Sequence, residues 1–279
     1  MKGYEFFRYF CAGQQYVLCE AKADQWTQGQ VLAKVLCDPL KGTGADTLIL
    51  LQKKNKGVYC IQSFNELGEK RPHPEAGILS AADWVCTRGQ IDHCLFLDDR
   101  YEKKVCRTDT GEYALQMEAP SFDAKKIPVS TQGAPWGKPI SIGDIRLKLY
   151  SLSVGSPYAV CFLDWQKNLN WIDKVGPELE KHFLFPLRTN VALAFVLNPK
   201  NIMIRVWERD SGEQPGSVRA SVAAAVVSIK NNVAQAPLWV HTKAGKSEIS
   251  WSENTSIDYK ANASLLFRGI FECTESTSF

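Results

Sequence analysis

The feature that most limits what this chain can fold into is that it repeats itself. Gly13-Gln14-Gln15-Tyr16-Val17 is echoed by Gly155-Ser156-Pro157-Tyr158-Ala159, an offset of about 142 residues. A strand-like run ending in Phe64-Asn65 leads through a polar, glycine-containing turn into an alanine-rich helix near Gly77. A run ending in Trp207-Glu208 does the same, with its helix near Ser217, and these strand ends are offset by about 143. Two echoes at nearly one spacing point to an internal duplication. The length of 279 residues, about twice that of a usual domain, agrees with two domains.

Short segments rich in branched and aromatic residues read as strands: Tyr16 to Leu18, Thr47 to Leu51, Val58 to Ile61, Ala159 to Leu163, Val191 to Leu197 and Ile202 to Trp207. Helices are expected over Gln25 to Leu36, Gly77 to Cys86, Lys167 to Lys181 and Ser217 to Asn231. The stretch Asp123 to Ile140 holds Pro128, Pro135 and Pro139, shows neither period, and reads as an interdomain linker or exposed loop. The expected class is therefore α/β (α+β), with two mixed domains over 1–125 and 141–261 and a last segment, 262–279, that returns to the first. In a duplicated fold of this kind the two helix N-termini face a common cleft, where unpaired N–H groups and the positive dipole end suit a carboxylate.

Composition removes several function classes. With 45% hydrophobic and 23% charged residues the chain is an ordinary globular protein, and 33 Lys plus Arg against 30 Asp plus Glu leave no basic block for nucleic acid or a membrane surface. No apolar run approaches a bilayer span. Nine cysteines, an odd number and none in a CxxC pair, argue for reduced thiols and a cytoplasmic protein rather than a disulfide framework or zinc site. The histidines at 73, 93, 182 and 241 have no metal-ligand spacing, so no metal is expected. Gly42-Thr43-Gly44 lacks the later glycine and lysine of a phosphate loop.

Several motifs then become recognisable. Val175-Gly176-Pro177-Glu178-Leu179-Glu180, His182 to Pro186, Arg188 to Val191 and Ile204 to Arg209 resemble the C-terminal half of diaminopimelate epimerases. Gly42 to Leu51 is similar to that family's "G-I-G-A-D-G-L-I-L-L", and Phe64 to Gly68 to its "F-N-x-D-G". The likeness runs in order from near Arg8 to Phe271. It implies two pseudo-symmetric domains, each a mixed, mostly antiparallel sheet around a central helix. It also implies epimerisation without cofactor or metal, by one thiolate that removes the α-proton and one thiol that returns it. Cysteine suits both roles because a helix N-terminus tunes its pKa near neutrality.

At those two places this sequence departs from the family. The first thiol motif, "C-G-N-G", falls on Pro74-Glu75-Ala76-Gly77, and the second, "C-G-T-G", on Ser217-Val218-Arg219-Ala220. Proline has no exchangeable side-chain proton, and serine is too weak an acid to act without an adjacent base. Glu75 would also set a negative charge where a substrate carboxylate docks, a repulsion on the order of a few kcal/mol. The resemblance assigns substrate-binding places to Gln14, Thr47, Asn65, Ser156, Asn190, Glu208, Arg209, Val218 and Arg219. Glu208 and Arg209 read equally well as an internal ion pair.

Two functions follow as expectations. One is a ligand- or partner-binding pseudoenzyme that has lost two-cysteine epimerisation. It would act as a homodimer or paired with an active relative, with no nucleic acid and no membrane. The other is an isomerase, tautomerase or lyase of the same fold, acting on a small amino or carboxylic acid through Glu75, His73 or Asp46. Phenazine-biosynthesis isomerases share the fold, lack both thiols and use a carboxylate on the segment that corresponds to Asp46. His73 reads alternatively as a solvated turn residue, and Cys11 as a buried structural thiol.

Overall fold

The computed structural model describes residues 2–22, 26–98, 101–164 and 170–273. Gln25 and the stretch from Lys167 to Leu169, expected at the starts of two helices, lie outside them. The described residues form seventeen strands and four helices. They divide into two compact units, one within 1–115 and 261–279, the other within 116–260.

In the first unit β1 (Lys2–Cys11) is antiparallel to β2 (Gln14–Glu20), which runs parallel to β3 (Thr47–Asn55). The sheet continues through β4 (Val58–Asn65), β5 (His93–Asp98), β6 (Tyr101–Arg107) and β7 (Tyr113–Met117). Helix α1 (Gly29–Leu36) packs Leu32, Ala33 and Leu36 with Val17, Leu48 and Leu50 of the sheet. Helix α2 (Glu75–Gly89) is different in kind: Ala76 through Ala82 are all buried. A helix apolar on every side has no solvent face and belongs in the middle of a domain. Its one buried hydroxyl in that run, Ser80, donates to the Ala76 carbonyl at 2.9 Å and so is satisfied.

The second unit repeats this order. β8 (Trp136–Ile142), β9 (Ile145–Ser153) and β10 (Pro157–Phe162) are antiparallel neighbours, and β10 runs parallel to β11 (Asn190–Asn198). β11 pairs antiparallel with β12 (Asn201–Glu208), which pairs with the short β13 (Gly212–Gln214) and runs parallel to β14 (Leu238–Thr242). β15 (Gly245–Ser250) and β16 (Ile257–Ala261) complete it. The sequence β2, β3, β4, helix, β5, β6 of the first unit thus recurs as β10, β11, β12, helix, β14, β15. The second central helix, α4 (Val218–Lys230), buries every residue from Ala220 through Ser228. The duplication read from two short echoes is a duplication of topology, and the six expected strands lie within β2, β3, β4, β10, β11 and β12, save Leu163 at the end of β10. Among the described residues no helix is long and apolar enough to cross a membrane.

One expectation is overturned. Residues 123–140 are not a linker: Ile127 is fully buried in the core of the second unit with Leu179, Leu184 and Phe185. Ser130 N–H donates to the Leu184 carbonyl at 2.9 Å, fixing the segment to the loop before β11. Three prolines suppress both periods while leaving single apolar side chains free to enter a core.

Helix α3 (Ile172–Glu180) is held by a buried carboxylate. Glu180 accepts from Trp207 Nε1 at 2.7 Å, from Asp210 N–H at 3.3 Å and from Arg188 at 3.4 Å. Burial works against its charge, but these donors, Trp207 foremost, outweigh it and hold the carboxyl below its ordinary range. Gly176 lies under the same indole, where a Cβ would sit 2.6 Å from the Trp207 ring. Alanine in a helix gains up to about 1 kcal/mol over glycine, whereas overpacking against a fixed ring costs about 1–3 kcal/mol. Gly176→Ala is therefore expected to lower the urea midpoint, and a midpoint at or above wild type would show that the indole yields.

Candidate functional site

Each unit carries the same local construction, a helix N-terminus at the end of a strand-turn-helix with a buried tyrosine beside it. In the first unit Pro74 is the N-cap of α2, with extended backbone (φ −67°, ψ 138°) and no side-chain bond to the helix. Proline suits a helix start because its φ is already near the required value, but its ring offers no acceptor to the first N–H groups. Glu75 supplies a carboxylate to the first turn, where the dipole favours negative charge. Gly77 faces the ring of Tyr16: a Cβ there would lie 3.0 Å from Tyr16 Cε1 and 3.1 Å from Pro74 Cγ. Tyr16 is fully buried, and its hydroxyl donates to Gln14 Oε1 at 2.6 Å. Tyrosine, glycine and proline thus fill the space around the α2 N-terminus within this unit.

The other candidates of the first unit are committed elsewhere. Asp46 accepts from the Gln15 N–H at 2.7 Å and is exposed, so it pins the start of β2 to the start of β3. Arg8 is buried behind it and donates to the Gly44 carbonyl at 2.8 Å and to Gln15. Thr47 sits in the ladder between Tyr16 and Asn65. Asn65 closes its own turn, donating to Glu69 Oε2 and accepting from Glu69 N–H, both at 2.8 Å. Cys11 is buried, with its thiol 3.5 Å from the Asn262 carbonyl, and burial pushes it up to about 12.

His73 is not a solvated turn residue. Its ring is buried, Nδ1 lies 2.6 Å from Ser63 Oγ, and Nε2 lies 3.2 Å from Asp98 Oδ2. The Tyr101 ring meets it edge-on at 5.6 Å. Burial lowers the histidine pKa from 6.5, with Asp98 opposing and Lys70 adding to the effect. A serine, a histidine and an aspartate in hydrogen-bond sequence resemble a catalytic triad in composition, but Ser63 is fully buried and cannot meet a substrate. The three latch the chain entering α2 onto β4 and β5. Nothing local in the sequence announces this, because the partners stand at 63, 98 and 101.

In the second unit Ser217 is the N-cap of α4 (φ −161°, ψ 132°), and its Oγ accepts from Ala220 N–H at 3.4 Å. The same oxygen lies 3.3 Å from the hydroxyl of Tyr158, which in turn donates to Glu208 Oε1 at 3.0 Å. With the tyrosine proton directed at the carboxylate, Ser217 donates to the tyrosine oxygen. Tyr158 is fully buried, and desolvation first, then Glu208, push its pKa well above 10.0, so it stays a neutral relay. Serine here is a cap and a link in a chain of hydrogen bonds that ends on Glu208.

Arg219, the second residue of α4, donates to Ser156 Oγ at 2.8 Å, and its guanidinium covers Gly155. Val218 is nearly buried. Asn190 donates to the Pro157 carbonyl at 3.0 Å and accepts from Arg209 N–H at 2.9 Å, tying β10 to the turn after β12. Glu208 and Arg209 do not pair with each other: Glu208 accepts from Tyr158, while Arg209 donates to the Leu187 carbonyl and faces Asp210. Ser156, Tyr158, Glu208, Ser217 and Arg219 are thus brought together. Among the described residues no group of three His, Cys, Asp or Glu side chains is arranged to hold a metal ion.

Against known proteins, the diaminopimelate epimerase family model matches residues 150–265. The diaminopimelate epimerase of Moorella thermoacetica is 29% identical over 269 residues, covering 93% of this chain and 96% of that protein. That of Pelotomaculum thermopropionicum is 28% identical over 254 residues, covering 85% and 87%. Among solved structures, a phenazine biosynthesis protein from Bacillus anthracis matches 98% of this chain and 100% of its own with a TM-score of 0.69 at 13% identity. A hydroxyproline epimerase from Agrobacterium vitis matches 96% and 92% with a TM-score of 0.59 at 12% identity. These low identities speak to fold alone. The class is thus a two-unit α/β protein of the diaminopimelate epimerase-like fold, a fold it shares with epimerases and isomerases. In sequence, over most of its length, the chain is a relative of the diaminopimelate epimerases.

The buried latch has a pH signature. Because the folded His73 pKa lies below 6.5, the fold favours the neutral ring. Its contribution is fully present above 6.5 and is lost as pH falls from there toward the folded value, since the unfolded chain then binds the proton more readily. His182 and His241 shift the same way, so the test is a difference. Wild type should lose more stability than His73→Gln between neutral and mildly acidic pH in urea titrations. Parallel curves would remove His73 from the account.

Proposed function

We propose that this protein is a diaminopimelate-epimerase-like pseudoenzyme of the cytoplasm, which binds a small amino or carboxylic acid or a protein partner without two-base epimerisation. The reading rests on the N-caps of the two central helices. A two-base proton transfer needs an acid and a base, each exposed to the α-carbon. Pro74 carries no proton to give or take, and Ser217 Oγ is engaged by Ala220 N–H and Tyr158. Tyr16 beside Pro74 and Arg219 over Gly155 further occupy the space at each helix start. Eight of the cysteines are free thiols, as suits a reducing compartment.

Binding is the function that such helix starts retain. The first N–H groups of α2 receive no side-chain cap from Pro74, and such groups suit a carboxylate. A thermal-shift screen of amino and keto acids would find the ligand.

A second reading is an isomerase, tautomerase or lyase that uses a carboxylate. Glu75, in the first turn of α2 and partly exposed, is the observation in its favour. His73 and Asp46, both engaged in structural contacts, contribute less to it. If turnover of any screened acid is found, Glu75→Gln should abolish it while Asp46→Asn leaves it.

Incubation of the purified protein with diaminopimelate in deuterated water is expected to show no α-proton exchange. Ser217→Cys alone should remain inert, because Pro74 still offers no second group. Measurable exchange by the wild-type protein would overturn the pseudoenzyme reading.

A further inference from the structure

Helix α2 ends in a turn that folds straight back on Cys86. The N–H groups of Gln90, left-handed at φ 49°, and of Ile91 both donate to the Cys86 carbonyl, the second at 3.1 Å. The chain then enters β5, whose second residue is Cys94, and the Arg107 N–H donates to the Asp92 carbonyl, which holds the turn to β6. This path brings two thiols into contact, with the Cys94 thiol donating to the Cys86 sulfur. Cys86 is 1% and Cys94 2% exposed, beneath a connection in which Thr87 to Gln90, Asp92 and His93 are exposed.

The pair differs from the other buried cysteines. Burial pushes Cys11, Cys37 and Cys161 up to about 12, as befits inert structural thiols. Cys86 moves the other way. The hydrogen bond from Cys94, helped by Arg107, outweighs burial and the Asp92 and Asp83 carboxylates and holds it below 9.0. Cys94 is raised by the same bond and by burial. One thiol is thus readied as a thiolate while its neighbour keeps its proton, the division between an attacking and a resolving cysteine.

We propose that Cys86 and Cys94 form a reversible redox pair, oxidised to a disulfide by hydrogen peroxide and restored by exchange with a small thiol. The Cys86 thiolate attacks one peroxide oxygen: an S–O bond forms, the O–O bond breaks, and the departing hydroxide takes up the proton that Cys86 released and leaves as water. The Cys94 sulfur then attacks the sulfenic sulfur of Cys86. An S–S bond forms, the S–O bond breaks, and hydroxide leaves with the Cys94 proton as a second water. The dithiol loses two electrons and the peroxide gains them. Local opening of the exposed turn admits an oxidant this small. In a reducing compartment disulfides are transient and redox-sensing, and both thiols are free here. The effect falls on α2. At its far end β5 finishes in Asp98, which faces His73 just before the α2 N-cap, so the disulfide ties the other end of the helix to the same strand.

The test depends on neither ligand binding nor α-proton exchange. Hydrogen peroxide should remove two hydrogens from the intact mass of the reduced full chain, and dithiothreitol should restore them. Trypsin cuts after Arg88, so Cys86 and Cys94 leave on separate peptides that hold no other cysteine, and these two peptides should be recovered cross-linked. Closing the short loop between them should raise the urea midpoint of the oxidised protein. Cys94→Ala, which removes the resolving thiol, should instead gain one oxygen at Cys86, captured by a sulfenic-acid reagent. Cys86→Ala should neither cross-link nor gain oxygen at Cys94. The cross-link map is made on the wild-type chain and stands even where a variant folds poorly. An unchanged mass, a cross-link between other cysteines, an oxidised form no more stable than the reduced one, or oxidation of Cys94 in Cys86→Ala would overturn the proposal.

Discussion

The structure depends on a helix placed where water cannot reach it. α2 and α4 are buried over Ala76 to Ala82 and Ala220 to Ser228, so along those runs each must satisfy its polar groups internally. Small residues make this possible: Ala81 and Ala82 in one helix, and Ala223, Ala224 and Ala225 in the other, let strands approach from every side. The serines in both helices return their hydroxyls to carbonyls four residues back, at 2.9 Å for Ser80 and 2.7 Å for Ser228. What remains available for chemistry is the first turn, and the residue at its cap decides what that chemistry can be.

The two units solve the cap differently. Proline starts α2 by backbone preference and leaves the first N–H groups without a side-chain acceptor. Serine starts α4 by accepting from Ala220 and joins Glu208 through Tyr158. The strand β2 or β10 supplies a tyrosine to each: Tyr16 lies against Gly77, and Tyr158 against Ser217. A buried tyrosine is a poor proton carrier, but it fills volume and satisfies its own hydroxyl. Proline and serine thus start the two helices by different means, and neither cap side chain is itself a readily titrating group.

Much of this is legible in the sequence. The repeat offset of about 142 aligns Tyr16 with Tyr158 and sets Pro74 against Ser217 at 143, and runs of branched and aromatic residues locate six of the seventeen strands among the described residues. The segment around Ile127 escapes such a reading because prolines erase the period that marks a buried element, while burial of one side chain every few residues needs no period. His73 escapes it for a different reason. Its partners Ser63, Asp98 and Tyr101 are spread over nearly forty residues and come together only when β4, β5 and β6 pack around the start of α2. Glu208 and Arg209 are adjacent in sequence and opposite in charge, yet Glu208 ends β12 and Arg209 opens the turn after it, where their side chains find other partners.

The same reasoning separates what the fold needs from what a reaction would need. Asp46, Asn65 and Asn190 hold strand starts and turns together through backbone contacts, at 2.7 Å for Asp46 and 2.8 Å for Asn65. These contacts serve the architecture whether or not a proton is moved. The Glu180–Trp207 pair is of the same kind, holding α3 to β12. Only groups that the architecture does not require are free to report on chemistry, and the two that would report most directly, the N-cap side chains, are a ring without a proton and a hydroxyl already shared. Resemblance along the chain and departure from the family pattern at the two N-caps, Pro74 and Ser217, are therefore compatible, because many of the matching residues build the fold.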